Sequence, residues 1–382
     1  MMEYLRFGEL YAIPSSNGLS RPSAVRGAGY KMVNMGELFS NGIINDIPME
    51  RVQMSDKELS KFLLEKGDLL FARQSLVAEG AGKCSYVNDL TEETTFESHL
   101  IRVRLNPKRA ISKYFYYLFQ LPNNPIKTIV NQGAQAGIRG SELIRVKVPC
   151  PSIKVQKKIA SILSAYDSQI ENNQKRIKIL EQMAENLYKE WFVRFRFPGF
   201  ENTEFEGGVP KGWKVVKVKE CVDRLRFGTL YGKDSVESDG DVIVIDQSQE
   251  PYIGFHNNAP SHIADTQKPI ILFGDHSCKF ELMIIPFSLA ENVVPFVAKS
   301  GIDTTFLYFT THNLIQTTEY KRHWTEFVNK KILLPPANLQ REYAKKVIDI
   351  LSMKQQLIVE NRLLSKQRDL LLPRLMSGKL SI

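Results

Sequence analysis

Six histidines (His99, His256, His262, His276, His312, His323), four cysteines (Cys84, Cys150, Cys221, Cys278) and one glycine-rich run carry the residue types for metal or nucleophile chemistry in this 382-residue chain. Their spacing does not suit it. No H-E-x-x-H and no C-x-x-C occurs, so no zinc site is expected. Gly80-Ala81-Gly82-Lys83-Cys84 approaches a phosphate-binding loop, but Val77 stands where the first glycine belongs and Cys84 replaces Ser/Thr. Gly274-Asp275-His276-Ser277-Cys278 sets its His and Cys too close along the chain to converge on one point, which favours a strand-end turn. An amino-methyltransferase needs an Asn/Asp-Pro-Pro-aromatic loop, and Pro335-Pro336 lies between Leu334 and Ala337 instead. The expectation is a chain with no catalytic residue, no metal and no cofactor of its own.

What remains is the chemistry of recognition. Lys and Arg grip phosphates, while Arg, Lys, Asn, Gln and acids address base edges. Clusters of these types sit in glycine-marked loops. In the N-terminal half they are Arg73, Gln74 and Ser75, then Gln135, Arg139 and Ser141 within Gln132–Ser141, with Ser20 and Arg21 as a weaker choice. In the C-terminal half they are Gln247 and Ser248, His256-Asn257-Asn258, Asp275-His276 with Lys279, and Lys321-Arg322 leading into His323-Trp324. The same compositions also make ordinary solvated turns.

Bulk properties permit such a partner without demanding it. The net charge is +9 with a pI near 9.2. By segment, residues 1–153 carry +4, 154–194 +3, 195–336 −3 and 337–376 +4. Hydrophobic residues at 43% and charged residues at 24% describe a globular protein and exclude disorder or collagen. No apolar run of 18 residues exists and the N-terminus lacks a signal-like core, so a cytoplasmic location with no membrane span is expected. The dispersed cysteines suit free thiols in a reducing compartment.

The chain repeats itself. Leu5-Arg6-Phe7-Gly8-Glu9-Leu10-Tyr11 returns as Leu225-Arg226-Phe227-Gly228-Thr229-Leu230-Tyr231, six identities in seven. Lys147 to Gln156 matches Lys331 to Gln340, and each match opens a long helical pattern. In both halves a mixed α/β region is followed by a proline-marked boundary and a helix. The expected fold class is α/β (α+β) with a pseudo-two-fold internal repeat: residues 1–150 and 207–336 as globular domains, 151–196 and 337–376 as helical regions. Strands are expected at Asp68–Ala72, Leu100–Arg104, Val242–Ile245 and Ile270–Phe273, and a helix near Lys113–Gln120 with a counterpart at Leu307–Leu314. The second copy opens with Pro210-Lys211-Gly212-Trp213-Lys214-Val215-Val216, a lead-in the first lacks, which predicts either a missing edge strand in the first or a late start codon.

The first helix places Leu163, Tyr166, Ile170, Asn173, Ile177, Leu180, Ala184 and Leu187 at alternating steps of three and four, the seam of a coiled coil. The second repeats Ile350, Leu357, Leu364 and Leu371, with Asn361 between. Its companion positions Lys354 and Arg368 weaken that seam, and Pro373 should end or kink the helix. A compact second domain between the helices makes them antiparallel, with the domains at the two ends of a strut. Some 38 helical residues span about 57 Å at ~1.5 Å per residue. Two diverged readers so spaced suit two unlike half-sites on duplex DNA, within about 17 base pairs.

At this point the chain resembles the specificity (S) subunits of type I restriction–modification systems. The resemblance rests on Lys66-Gly67-Asp68-Leu69-Leu70-Phe71-Ala72-Arg73, the proline-then-Gln helix starts, and Ile162-Leu163-Ser164-Ala165-Tyr166-Asp167 with Ile170-Glu171-Asn172-Asn173. The stretch Leu187 to Phe200, followed by Val209-Pro210-Lys211-Gly212-Trp213, carries it furthest. The resemblance implies two target-recognition domains, each reading half of a bipartite, asymmetric double-stranded DNA target. It implies that the helices act as spacer and dock two methyltransferase (M) subunits, which hold S-adenosylmethionine and methylate adenine. Restriction (R) subunits with ATP and Mg complete the complex, leaving this chain non-catalytic. A rival from another class is a coiled-coil adaptor bridging two protein partners.

Overall fold

The computed structural model describes residues 3–22, 26–132, 136–317, 319 and 321–380. The chain forms two compact units, one of residues 1–171 with 362–382, the other of residues 172–361. Both divisions fall inside long helices, Ile153–Tyr188 and Ala337–Met376. Among the described residues no helix is long and apolar enough to cross a membrane.

In the first unit, a five-stranded sheet runs in the order Tyr11–Asn17, Leu100–Leu105, Leu69–Ala72, Cys84–Val87, Ile43–Ile44. Its middle strand, Leu69–Ala72, is apolar without alternation because both faces are covered, and all four residues are buried. Asp68 anchors the start of that strand. Its carboxylate accepts hydrogen bonds from Arg104 Nε at 2.7 Å and from the Glu65 backbone at 2.9 Å. Helix Ser112–Gln120 buries Tyr114 to Phe119, and the rings of Phe7, Phe71, Phe115 and Phe119 close the core over the sheet. A second sheet orders Glu50–Val52, Arg26–Val33, Thr94–Phe96.

The second unit reuses the plan with one strand fewer in its large sheet. A four-stranded sheet runs Val222–Arg224, Val293–Ala298, Ile270–Gly274, Phe280–Met283, and a three-stranded one runs Gly254–His256, Val242–Ile245, Phe287–Leu289. In each unit the small sheet combines one antiparallel and one parallel pair. Helix Thr304–Thr311 starts at Asp303, whose side chain accepts from Phe306 N. The buried glutamines at the two long-helix starts do the same work. Gln156 accepts from Ile111 N and donates to Pro151 O, while Gln340 accepts from Asp303 N and donates to Pro335 O, all within 2.7–2.9 Å.

One sequence alignment is overturned. Tyr4–Arg6 pairs antiparallel with Lys147–Pro149, and Lys214–Lys217 pairs antiparallel with Lys331–Leu334. The first unit therefore has its edge strand, in the place that the Lys214–Lys217 lead-in fills in the second. Phe7 is the counterpart of Val218, both fully buried. Glu9 is that of Glu220, each accepting from the backbone N–H three residues back. The near-identical Leu225–Tyr231 run sits past this element, in a loop tied to the sheets through Leu225 N to Pro295 O and Tyr231 N to Leu289 O. The same seven letters serve different places because tertiary pairing, not local sequence, selects the strand.

The two long helices run antiparallel within each unit. In the first, Leu163 shares a core with Leu372 and Leu375, and Asp167 Oδ1 accepts from Arg368 at 2.6 Å. In the second, Lys354 meets Glu181 at 2.7 Å and Tyr343 OH donates to Ala184 O at 3.2 Å. Along the first helix Leu163, Asn173 and Leu180 are buried and Tyr166, Ile170, Ile177 and Leu187 half-buried. Along the second Leu357 is buried and Ile350, Asn361, Leu364 and Leu371 are half-buried. Lys354 and Arg368, expected to weaken this seam, each meet an acid on the facing helix, Glu181 and Asp167. Pro373 neither ends the helix nor removes a needed bond. The carbonyl its missing N–H leaves open belongs to Asp369, which is exposed to water.

Candidate nucleic-acid interface

In the first unit the middle strand leaves the sheet at Arg73, and the backbone there gathers the predicted residues. Arg73 N donates to His99 O at 2.8 Å and Arg73 O accepts from Ile138 N at 2.9 Å. Gln74–Ser75 pairs with Ala136–Gly137, which pairs in turn with Asn131–Gln132. A Cβ on Gly137 would lie 3.0 Å from Arg73 O, a tight contact that a larger residue would meet only with a small shift of that backbone. Arg139 and Ser141 follow at the start of the short helix Gly140–Leu143, both exposed, as is Arg73. Arg73, Gln74, Arg139 and Ser141 thus share one edge, whereas Gln135 lies outside the described residues. Ser20 is exposed elsewhere, and the Arg21 guanidinium is held by Glu58. Bonds from the Ser55 backbone and then from Arg21 pull the Glu58 carboxyl down to about 2.

In the second unit the corresponding strand leaves at Asp275, and a side chain rather than a strand pair organises the edge. Asp275 Oδ1 accepts from His323 N at 3.1 Å and Trp324 N at 2.9 Å, capping the helix Trp324–Asn329. Arg322 Nε lies 3.8 Å from the other carboxylate oxygen, and Lys321 pairs with Glu319. Gln247 accepts from His276 N at 3.1 Å, and Ser248 Oγ donates to Asp246 at 2.6 Å. Gln247, Ser248, His276, Lys279, Lys321 and Arg322 are therefore brought together. Lys279 is inward-facing: its ammonium donates to the carbonyls of Asp246 at 3.3 Å and Glu250 at 2.5 Å, so it clamps the loop rather than presenting a free cation.

A second group lies at the other end of strand Val242–Ile245, where Val242 faces His256. His256 cannot serve as expected. It is only 3% exposed, its ring stacks on Tyr231 at 4.1 Å, and both nitrogens are engaged, with Ser288 Oγ at 2.9 Å and Asn258 N at 3.1 Å. Asn257 and Asn258 beside it are exposed, tied to Asp241 N and the Tyr231 hydroxyl. His323, which sequence grouped with Lys321 and Arg322, is likewise buried.

Sequence reasoning took Asp275 as a candidate DNA contact where the structure makes it the organiser of the edge, and it missed Tyr231 as the partner of His256. The Asp-His-Ser turn after a buried strand was the available signal for the first; nothing local marked the second. The glycine run near Lys83 is an internal turn, with Gly82 N donating to Ala72 O and Lys83 Nζ to Phe39 O. Among the described residues no group of three or more His, Cys, Asp or Glu could hold a metal ion.

Comparison with known proteins shows what the chain is similar to. Residues 20–182 match the family model of the type I restriction modification DNA specificity domain. The specificity subunit of the type I restriction enzyme MjaIX from Methanocaldococcus jannaschii is 26% identical over 363 residues, covering 85% of this chain and 80% of its own. A second chain of that organism is 24% identical over 394 residues, covering 96% and 91%. The crystal structure of the type I S subunit from M. genitalium superposes with a TM-score of 0.59 at 14% identity, over 98% of this chain and 96% of that one, and shows the shared fold. Over most of its length the chain is thus similar to specificity subunits of type I restriction enzymes, and residues 20–182 match their DNA specificity domain.

Proposed function

We propose that the chain is the sequence-reading subunit of a cytoplasmic type I complex, each unit binding one half of a bipartite, asymmetric double-stranded DNA target. In this reading the long helices set the spacing and dock two methyltransferase subunits. S-adenosylmethionine sits on those partners, and ATP and Mg on restriction subunits. The observation that carries it is the repetition of one scaffold with unlike residues at one strand exit, Arg73 in one unit and Asp275 in the other. Arg73, Arg139, Lys321 and Arg322 would meet phosphates or guanines; Gln74, Ser141, Gln247, Ser248, His276, Asn257 and Asn258 would address base edges. Expression with a cognate methyltransferase subunit in an unmethylated host, followed by methylome mapping, tests it. A two-part motif with an unread gap is expected. Absence of any chain-dependent methylation would favour the adaptor reading.

A further inference from the structure

At 87%, Leu76 is the most exposed large apolar side chain among the described residues, and Val77 next to it is 58% exposed. Single exposed apolar residues are ordinary on protein surfaces. This pair differs in being held out by a loop bonded to itself. Val77 N donates to Ser75 Oγ at 3.2 Å, Gly80 N to Val77 O at 3.2 Å and Ala81 N to Ala78 O at 3.2 Å. Gly80 packs so closely that a Cβ there would lie 2.3 Å from Ser75 Oγ. The turn therefore gives Leu76 no route back to the core. Its base is the strand pair of Gln74–Ser75 with Ala136–Gly137, between the exposed arginines Arg73 and Arg139, against one carboxylate on the loop, Glu79. Asp275-His276-Ser277 fills the corresponding turn in the second unit with polar residues.

We propose that Leu76, backed by Val77, is a specificity-determining contact of the first unit: an apolar tip pressed against base edges in the DNA groove while the flanking arginines hold phosphates. This rests on the DNA-reading function proposed above. Apolar side chains at such a position discriminate by shape and methyl contact, and leucine is among those that enter between base steps. Charge complementarity selects the occupant, since two cations beside an apolar tip fit a duplex better than a protein face.

The test uses the full chain with its methyltransferase partner and a duplex carrying the mapped motif. Leu76→Ala should weaken binding of that duplex roughly tenfold, the size expected for part-burying one leucine. Affinity for a scrambled duplex and the slope of log affinity against log salt should stay as in the wild type, because no phosphate contact is lost. Arg73→Ala is the internal reference and should lower that slope by about 0.9. Unchanged affinity of Leu76→Ala beside a weakened Arg73→Ala overturns the apolar contact and leaves the DNA reading standing. Loss of the methyltransferase subunit from Leu76→Ala with DNA affinity intact overturns it in favour of a protein contact. A wild-type complex that does not prefer the mapped duplex overturns the reading itself.

Discussion

The strand at the middle of the large sheet leaves at Ala72 in one unit and at Gly274 in the other, and it meets two differently built edges. In the first, backbone pairing of Gln74–Ser75 with Ala136–Gly137 makes a small sheet that carries Arg139 and the apolar turn. In the second, the Asp275 carboxylate takes over, capping the helix that follows Lys321 and Arg322. Beneath those edges the frame is the same, down to Gln156 and Gln340. The difference teaches that the fold constrains where an edge stands and leaves its chemistry open, which suits two readers of unlike sequence.

The comparison breaks first at the core. If Phe7 corresponds to Val218 rather than Phe227, then Phe7→Ala should cost about 3–5 kcal/mol as a fully buried ring. Phe227→Ala, at a half-buried loop site, should cost about 1 kcal/mol. Equal losses in denaturant unfolding would restore the sequence alignment.

Next comes the edge. Asp275→Ala should destabilise the second unit by about 1 kcal/mol, since Trp324 N loses its acceptor while His323 N keeps the Asp275 backbone carbonyl at 2.8 Å. No side-chain change at Arg73 should do the same in the first unit, where the backbone holds the edge. Calorimetric scans of the two variants would show it.

The helix pairs should differ too. Arg368→Met leaves Asp167, itself only 15% exposed and bonded to the Tyr117 hydroxyl at 2.5 Å, without its cation and should cost about 1–3 kcal/mol. Lys354→Met breaks a more exposed pair with Glu181 and should cost under about 1 kcal/mol.

The smallest effect is a pH dependence in the second unit. Burial holds the His262 pKa below its usual value, against a partial offset from its bond to Phe227 O. Below about pH 6.5 the unfolded chain binds a proton that the folded unit resists, so stability is full above that pH and falls as pH drops. His262→Phe, which keeps the stack on Phe287, should flatten that slope in unfolding experiments across pH 5 to 8.

Much of the frame was legible because burial on both faces leaves unbroken apolar runs, as at Leu69–Ala72 and Ile270–Gly274, and because the seam repeats every seven residues. The pairing of edge strands was not. Leu5–Tyr11 and Leu225–Tyr231 look alike locally, and only long-range hydrogen bonds separate them. The candidate site was legible as loops but not as geometry. His256 and Lys279 have the right types for DNA and spend them on internal partners. Leu76 and Val77 have the wrong types and stand outside. Polarity predicts loops well and the direction of side chains poorly.

The claim that two unlike units each read their own half-site is tested most directly by remapping methylation with Arg73→Ala plus Gln74→Ala in the otherwise unchanged chain. The account predicts that one half of the motif relaxes while the other half and the gap length stay as in the wild type. Relaxation of both halves together, or a shift in the gap, would contradict it.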